Sequence, residues 1–370
     1  WENENVLVVT VNKENSNITV ERNGIVIHGG ELGTKDTVLP RNQFRLLTTD
    51  SETSGGTGSF LFPLNKADRF FGLGDKGGYP DRRMRRFSMY NRDSLGYDAQ
   101  LSDPLYKSIP FYIKHNPVTK SLCGIYFPVS LSNSFNFGSE SPYYISAELS
   151  GGPMAYYIIS GGSYKQIIQR YCSITGRPSL PPLFSFGFFG SSMNYVEPDD
   201  AASRMAHYFD QIEENHIPCE GMYVSSGYLK AADGKRYAFI WNKKKFPDYG
   251  SFLDCLAKRG YNLCMNIKPG ILTTHPWYKE LAQKQYFVKN TDGTPCVVFY
   301  WGGEASFIDF DNHDAAEWWK SKLKEVFLSH TNCGIWNDNN ELELEDPEMD
   351  AFKRRALYPV QMGKASYEAS

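Results

Sequence analysis

Thr175-Gly-Arg-Pro-Ser-Leu-Pro-Pro182 is the stretch on which the reading of this chain turns. Three prolines and a glycine in eight residues cannot continue a helix and form a stiff connector. On its N-terminal side the texture is that of β-structure. Val6–Val11, Ile18–Arg22 and Gly24–His28 are short β-branched runs broken by Asn, Gly and Lys, and similar runs recur at 59–62, 108–114, 122–129, 132–137, 143–149 and 154–159. Many short strands separated by turn residues imply an antiparallel sandwich, closed by a helix over Tyr164–Ile174. Beyond the connector, strands and helices alternate. Strands are expected at 183–190, 221–225, 262–267 and 333–336, and helices at 198–215, 249–259, 276–283, 315–329 and 350–367.

Alternation of this kind implies parallel strands with crossover helices. Four βα units fit either an open doubly wound sheet or half of an eight-stranded barrel. Gly187-Phe-Phe-Gly190 runs on into Ser-Ser-Met-Asn without a phosphate-binding glycine pattern, which favours the half barrel. The expected organisation is therefore a β-sandwich domain over 1–180 and the first half of a (β/α)8 barrel over 181–370.

Composition narrows the function classes. With 39 Lys+Arg against 42 Asp+Glu, the net charge of −3 argues against nucleic acid as the main partner. No apolar run approaches the roughly 20 residues needed to span a bilayer, so no membrane partner is expected. Seven cysteines without a CxxC pair point to reduced thiols and a cytoplasmic home. The chain opens on Trp1 rather than Met, an expected sign of trimming that leaves secretion open. No H-E-x-x-H or other metal spacing and no G-x-S-x-G elbow occurs, so neither a metal nor another cofactor is expected. The 24 Tyr, 24 Phe and 7 Trp serve large cores or surfaces that stack on sugar rings.

In a barrel the chemistry sits just past the C-terminal ends of the strands. Those positions read Ser191-Ser-Met-Asn-Tyr195, Ser225-Ser-Gly-Tyr228, Lys268-Pro-Gly270 and Asn337-Asp-Asn-Asn-Glu341. Asp338 alone is a carboxylate flush with a strand end, among amides that can donate to it. Such a carboxylate stays ionised and suits a nucleophile, although Asn-Asp-Asn-Asn also reads as a plain turn. Glu341 can act in catalysis, bind a hydroxyl or brace the loop. The Lys268 ammonium is expected in the mouth, against a carboxylate or ligand oxygen, or else snorkelling at the surface. Trp301-Gly-Gly303 sets a large ring beside flexible backbone, as a sugar wall or as packing.

Five segments, in order along nearly the whole chain, resemble glycoside hydrolase family 31. Gly334-Ile-Trp-Asn-Asp-Asn-Asn-Glu341 is similar to its nucleophile signature W-x-D-M-N-E, and Arg69-Phe-Phe-Gly-Leu-Gly-Asp-Lys76 to its R-F-Y-G-L-G-E-K segment. Asn91-Arg-Asp-Ser94 with Pro104–Phe111, the Thr175–Pro182 connector, and Phe246-Pro-Asp248 match three more. The resemblance implies a retaining α-glycosidase working by double displacement, with two carboxyls about 5–5.5 Å apart. Asp338 matches the nucleophile, and Asp93 matches a sandwich-loop aspartate that reaches the substrate. Tyr228, Lys268, Trp301, Trp336 and Glu341 complete the expected sugar-binding set.

Two departures shape the expectation. Where the family carries D-x-D-Y and D-P-[GA]-I, this chain reads Ser225-Ser-Gly-Tyr228 and Lys268-Pro-Gly-Ile271. An ammonium in place of a carboxylate reverses hydrogen-bond polarity, and the set resembles a divergent branch with α-galactosidase and α-N-acetylgalactosaminidase activities. A galacto-configured substrate is the expectation; α-glucosidase, α-xylosidase or transglycosidase activity stays open. Second, only 32 residues (370 − 338) follow Asp338, too few for four more strands and the acid/base aspartate. Glu343, Glu345 and Asp346 are the local substitutes. The expectation is a fragment of a longer glycosidase, inactive alone; the rival is a non-catalytic carbohydrate-binding or scaffold protein. Oligomeric state is not legible.

Overall fold

The computed structural model describes residues 7–12, 17–22, 25–31, 58–128, 133–149, 156–342, 344, 349 and 355–370. They form two compact units, the first running to Pro178 and taking in Arg355 and Ala356, the second made of the rest from Ser179. In the first, β1 (Leu7–Asn12), β2 (Asn17–Arg22) and β3 (Ile25–Glu31) make one antiparallel sheet. Next come β4 (Gly58–Pro63), β5 (Arg69–Gly74), β6 (Arg86–Met89), β7 (Ser108–Asn116), β8 (Ser121–Tyr126), β9 (Asn133–Asn136), β10 (Tyr144–Leu149) and β11 (Tyr157–Ser160). They build two four-stranded antiparallel sheets, ordered β4-β10-β9-β6 and β11-β8-β7-β5.

The two sheets close over an aromatic core because successive side chains of a strand face opposite ways. Phe60, Phe87 and Phe135 from one sheet meet Phe70 and Tyr112 from the other, all buried. Rings from both sheets pack edge-on, such as Tyr112 against Phe135 with centroids 6.0 Å apart. On β7 the neighbours of Tyr112, Phe111 and Ile113, turn instead to the outer face. There α1 (Tyr164–Thr175) covers them with Ile167, which is fully buried. Gly124 lets the helix come that close, since a Cβ there would lie 2.8 Å from both Ile167 and Phe111.

In the second unit, β12 (Phe189–Gly190), β13 (Gly221–Val224), β14 (Asn262–Ile267) and β18 (Cys333–Asn337) form a parallel sheet in that order. Their crossovers carry α2 (Ala201–Glu214), α3 (Tyr249–Lys258) and α5 (His313–Leu323), and α6 (Tyr358–Ala369) follows β18. Between β14 and α5 the chain makes an excursion: β15 (Gly270–Leu272), α4 (Tyr278–Gln283), β16 (Val298–Tyr300) and β17 (Gly303–Phe307), the strands antiparallel. An antiparallel β-sandwich followed by the first four strands of a TIM barrel is thus the architecture, as expected.

Several local expectations need correction. Leu183–Gly190 is not one strand: Leu183–Phe186 is a 3-10 turn, and only Phe189 and Gly190 pair with β13. The Gly187 amide is spent on the Phe184 carbonyl and the Ser185 hydroxyl on the Pro182 carbonyl, so the apolar run cannot join the ladder. β5 and β6 were not expected, because Gly72 and Gly74 break the β-pattern and the ladder shifts register between them. The excursion sheet was missed because its strands are three to five residues long. Two helix starts move inward, α2 to Ala201 rather than Pro198 and α4 to Tyr278 rather than Pro276, whereas α5 begins earlier than expected, at His313 rather than Ala315. Pro359 sits in the first turn of α6, where its missing N–H costs nothing. The α5 region ends in a π-helical turn over Lys324–Leu328. The expected start of the last helix at Asp350, and Glu343, Glu345 and Asp346, lie outside the described residues.

Candidate active site

Strand alternation sorts the barrel side chains into two sets. Met222, Val224, Leu263, Met265 and Ile267 are buried with Phe209, Leu253, Leu256 and Trp319 of the helices. Asn337 belongs to this outer set, since its Oδ1 accepts from the Ser366 hydroxyl of α6 at 2.8 Å. By period two, Tyr223, then Cys264, Asn266 and Lys268, then Gly334, Trp336 and Asp338 share the inner face. Tyr223 and Trp336 meet edge-on there, centroids 6.1 Å apart. Burial pushes the Cys264 thiol up to about 11, so it is a poor nucleophile at neutral pH.

Asp338 stands where β18 ends, with its amide donating to the Ile267 carbonyl at 3.0 Å. Its Oδ2 accepts from Asn266 Nδ2 at 2.7 Å and from Lys268 Nζ. Its Oδ1 accepts from the Asn339 amide at 3.0 Å. Lys268 also donates to Asn339 Oδ1, and its ammonium lies 4.8 Å from the Trp301 ring centroid. Tyr300 donates its hydroxyl to the Asn339 carbonyl at 3.0 Å. Asn339 takes a φ of +48°, a left-handed conformation that Asn tolerates better than most residues. The Lys268 and Asp338 side chains keep 12% and 27% of their exposure, so the pair is largely withdrawn from water but reachable. A charge-assisted bond in such a setting is stronger than a surface pair.

Loops at the ends of β12 and β13 are held by cations. Lys245, 4% exposed, donates to the carbonyls of Val196, Glu197 and Gly227 at 3.1, 2.7 and 2.9 Å, and burial lowers its pKa. Glu197 accepts from Lys230 at 3.1 Å and from Arg236. Burial alone would raise the Glu197 pKa, but the two cations outweigh it and hold it below the ordinary value. Arg236 also lines a small cleft beside Lys268, together with Leu229, Tyr300 and Trp301.

Of the expected residues, the fold gathers Asp338, Lys268 and Trp301, with Trp336 two positions before Asp338 on the same face. Glu341 is half-buried in the turn that follows. Asp93 is half-buried in the first unit, in the loop between β6 and β7. That loop is anchored by Lys76, whose buried ammonium donates to Asp103 at 2.9 Å and to the Ser88 carbonyl at 2.5 Å. Tyr228, expected among the sugar contacts, is fully buried and donates its hydroxyl to the Asn266 carbonyl at 2.7 Å, which braces β14. Asn266, Asn339 and Tyr300 were missed. Asn266 carried a usable signal, an amide inside an apolar strand two residues before Lys268; Tyr300 carried none, because the hairpin alone brings it to Asn339. Among the described residues no three His, Cys, Asp or Glu side chains gather as a metal site, and no helix is long and apolar enough to cross a membrane.

Residues 178–370 match the TIM-barrel domain of glycosyl hydrolases family 31, and residues 1–135 match the glycosyl hydrolase 31 N-terminal galactose mutarotase-like domain. The chain is similar to alpha-glucosidase 2 of Bacillus thermoamyloliquefaciens, 28% identical over 323 residues, covering 82% of this chain and 39% of that protein. It is also similar to alpha-xylosidase XylQ of Lactiplantibacillus pentosus, 28% identical over 305 residues, covering 81% and 38%. A solved dextranase of Flavobacterium johnsoniae, complexed with glucose, superposes with a TM-score of 0.82 at 24% identity, covering 100% of this chain and 44% of that one. The chain thus spans about two fifths of the curated relatives it matches. Their names are those of a glucosidase and a xylosidase and lend no support to the expected galacto-configured substrate.

Proposed function

Since the chain belongs to glycoside hydrolase family 31, we propose that the natural full-length polypeptide is a retaining, exo-acting α-glycosidase with Asp338 as its nucleophile. The observation that carries this reading is the Asp338 carboxylate at the C-terminal end of β18, aligned by Asn266, Lys268 and the Asn339 amide. In the first half-reaction a carboxylate oxygen bonds to the sugar's C1 as the aglycone leaves; in the second, water releases the sugar with net retention. The leaving oxygen takes its proton from a second carboxylic acid, as the two-carboxyl geometry of a retaining enzyme requires. Asp93, Trp301, Trp336 and Glu341 are the proposed sugar contacts, no cofactor takes part, and the domain boundary lies near residue 180. Seven free thiols support a reducing, cytoplasmic setting.

For the sugar, Lys268 in place of the family's strand-three carboxylate supports a galacto-configured ring, an α-galactoside or α-N-acetylgalactosaminide. A donor-only group cannot accept from the hydroxyl that a carboxylate would hold, and mispaired polar groups discriminate strongly. The named relatives support a glucoside or xyloside as the second reading. Nitrophenyl α-glycosides of all four sugars, tested on the full-length polypeptide, separate the two. Trapping with a fluorinated α-glycoside of the preferred sugar should label the peptide that contains Asp338. Label on any other peptide refutes the nucleophile, and binding without turnover of any glycoside favours a carbohydrate-binding protein.

A further inference from the structure

Asp338 changes charge twice in a double displacement, and the structure holds a cation against it throughout. Lys268 and Asn266 both donate to Oδ2, whereas Oδ1 accepts the Asn339 amide. Oδ1 is therefore the less engaged oxygen and the one available to C1. Lys268, on the other oxygen, does not have to leave when the ester forms. It is anchored from two more sides, by Asn339 Oδ1 and by the Trp301 face. A cation fixed so firmly cannot follow the charge of its partner.

We propose that Lys268 sets the balance between the two half-reactions, slowing formation of the glycosyl ester on Asp338 and speeding its breakdown. The inference rests on the reading of Asp338 as nucleophile. In the first step an Oδ1 lone pair forms the bond to C1, and the C1–O bond breaks with its electron pair on the aglycone oxygen. Asp338 goes from anionic to neutral and loses its attraction to Lys268. In the second step a water oxygen bonds to C1 and gives its proton to the general base. The C1–Oδ1 pair returns to Asp338, whose negative charge reforms beside the ammonium. The same ion pair thus opposes the first step and assists the second. An attraction between unit charges in a partly buried site corresponds to about ten- to hundred-fold in rate when it acts on one step. This also gives Asn339 a role: it occupies the place of the family's methionine and offers Lys268 an amide oxygen, a much stronger acceptor than a thioether sulfur.

The test is burst kinetics on the full-length polypeptide with 2,4-dinitrophenyl α-galactopyranoside and α-glucopyranoside, whose leaving group needs no protonation. Wild type should show no burst. Lys268→Met should release about one equivalent of phenol per site rapidly, then turn over ten- to hundred-fold more slowly, with the ester on the Asp338 peptide seen by mass spectrometry. Lys268→Arg, which keeps the charge, should restore the wild-type pattern. Asn339→Met provides a milder change in the same direction if Lys268→Met does not fold. A variant that slows both half-reactions alike and weakens a competitive inhibitor equally has lost structure only, and overturns the inference while leaving Asp338 as nucleophile. Wild-type label on another residue, or no turnover of any of the four nitrophenyl α-glycosides, overturns the underlying reading instead.

Discussion

Gly270→Ala tests whether the excursion hairpin holds the Asp338 turn in place. Built on the backbone, a Cβ at 270 would lie 2.4 Å from Cε1, 2.5 Å from Cδ1 and 3.2 Å from Cζ of Tyr300. Ordinary carbon contacts are about 3.5–4.0 Å, so the ring has to move by about 1 Å. It cannot move freely. Its hydroxyl is bonded to the Asn339 carbonyl at 3.0 Å, its edge packs on Phe307 at 4.9 Å between centroids, and Gly270 itself pairs with Phe307 across β15 and β17. Overpacking of this kind costs about 1–3 kcal/mol. The Gly270 backbone does not sit at a positive φ, so alanine brings no strain of its own. In a Tyr300→Ala background the clash disappears, and Gly270→Ala should be neutral or gain about 0.4–1 kcal/mol through the unfolded state. Urea denaturation of wild type, both single variants and the double variant measures the coupling, expected at about 1.5 kcal/mol or more. In the full-length polypeptide the displaced ring should also disturb Asn339 and lower turnover by up to about a hundred-fold. Equal costs of Gly270→Ala in the two backgrounds would refute the hairpin argument.

Two further outcomes follow from single contacts. Tyr228→Phe deletes a buried hydroxyl that donates to the Asn266 carbonyl, and should cost about 1–2 kcal/mol in denaturant titrations while leaving inhibitor binding intact; a matching loss of binding would make Tyr228 a ligand contact after all. Burial opposes the ionisation of Glu197, but Lys230 and Arg236 outweigh it and hold its pKa below the ordinary value. A depressed folded-state value means the pair stabilises fully above the unfolded value near 4.5 and loses that contribution as pH falls through the folded value. Glu197→Gln should therefore flatten the fall in stability below about pH 4.5, read as the urea midpoint against pH; an unchanged slope would show that the pair contributes nothing.

How much was legible depended on the range of the interaction. The connector at Thr175–Pro182, the alternation of elements after it and the carboxylate at the end of the last strand are local patterns, set by proline chemistry, periodicity and turn-forming side chains. They sufficed for a sandwich, a parallel arc of strands and Asp338 as the residue to watch. Lys268 was visible as a cation past a strand end, but its partner was not. Two residues 70 positions apart met only because β14 and β18 pair in parallel, with Ile267 opposite Asn337. Asn266 joined them through the same register, since the period of two sends it to the face that Asp338 shares. Tyr300 and Trp301 arrived through a short antiparallel hairpin that no periodicity announces. The sequence by itself determined which groups this protein owns and at which strand ends they sit. Strand pairing decided which oxygen of Asp338 is engaged, which cation engages it, and that Tyr228 supports the site from behind, because contacts between distant segments exist only once the backbone ladder has aligned them.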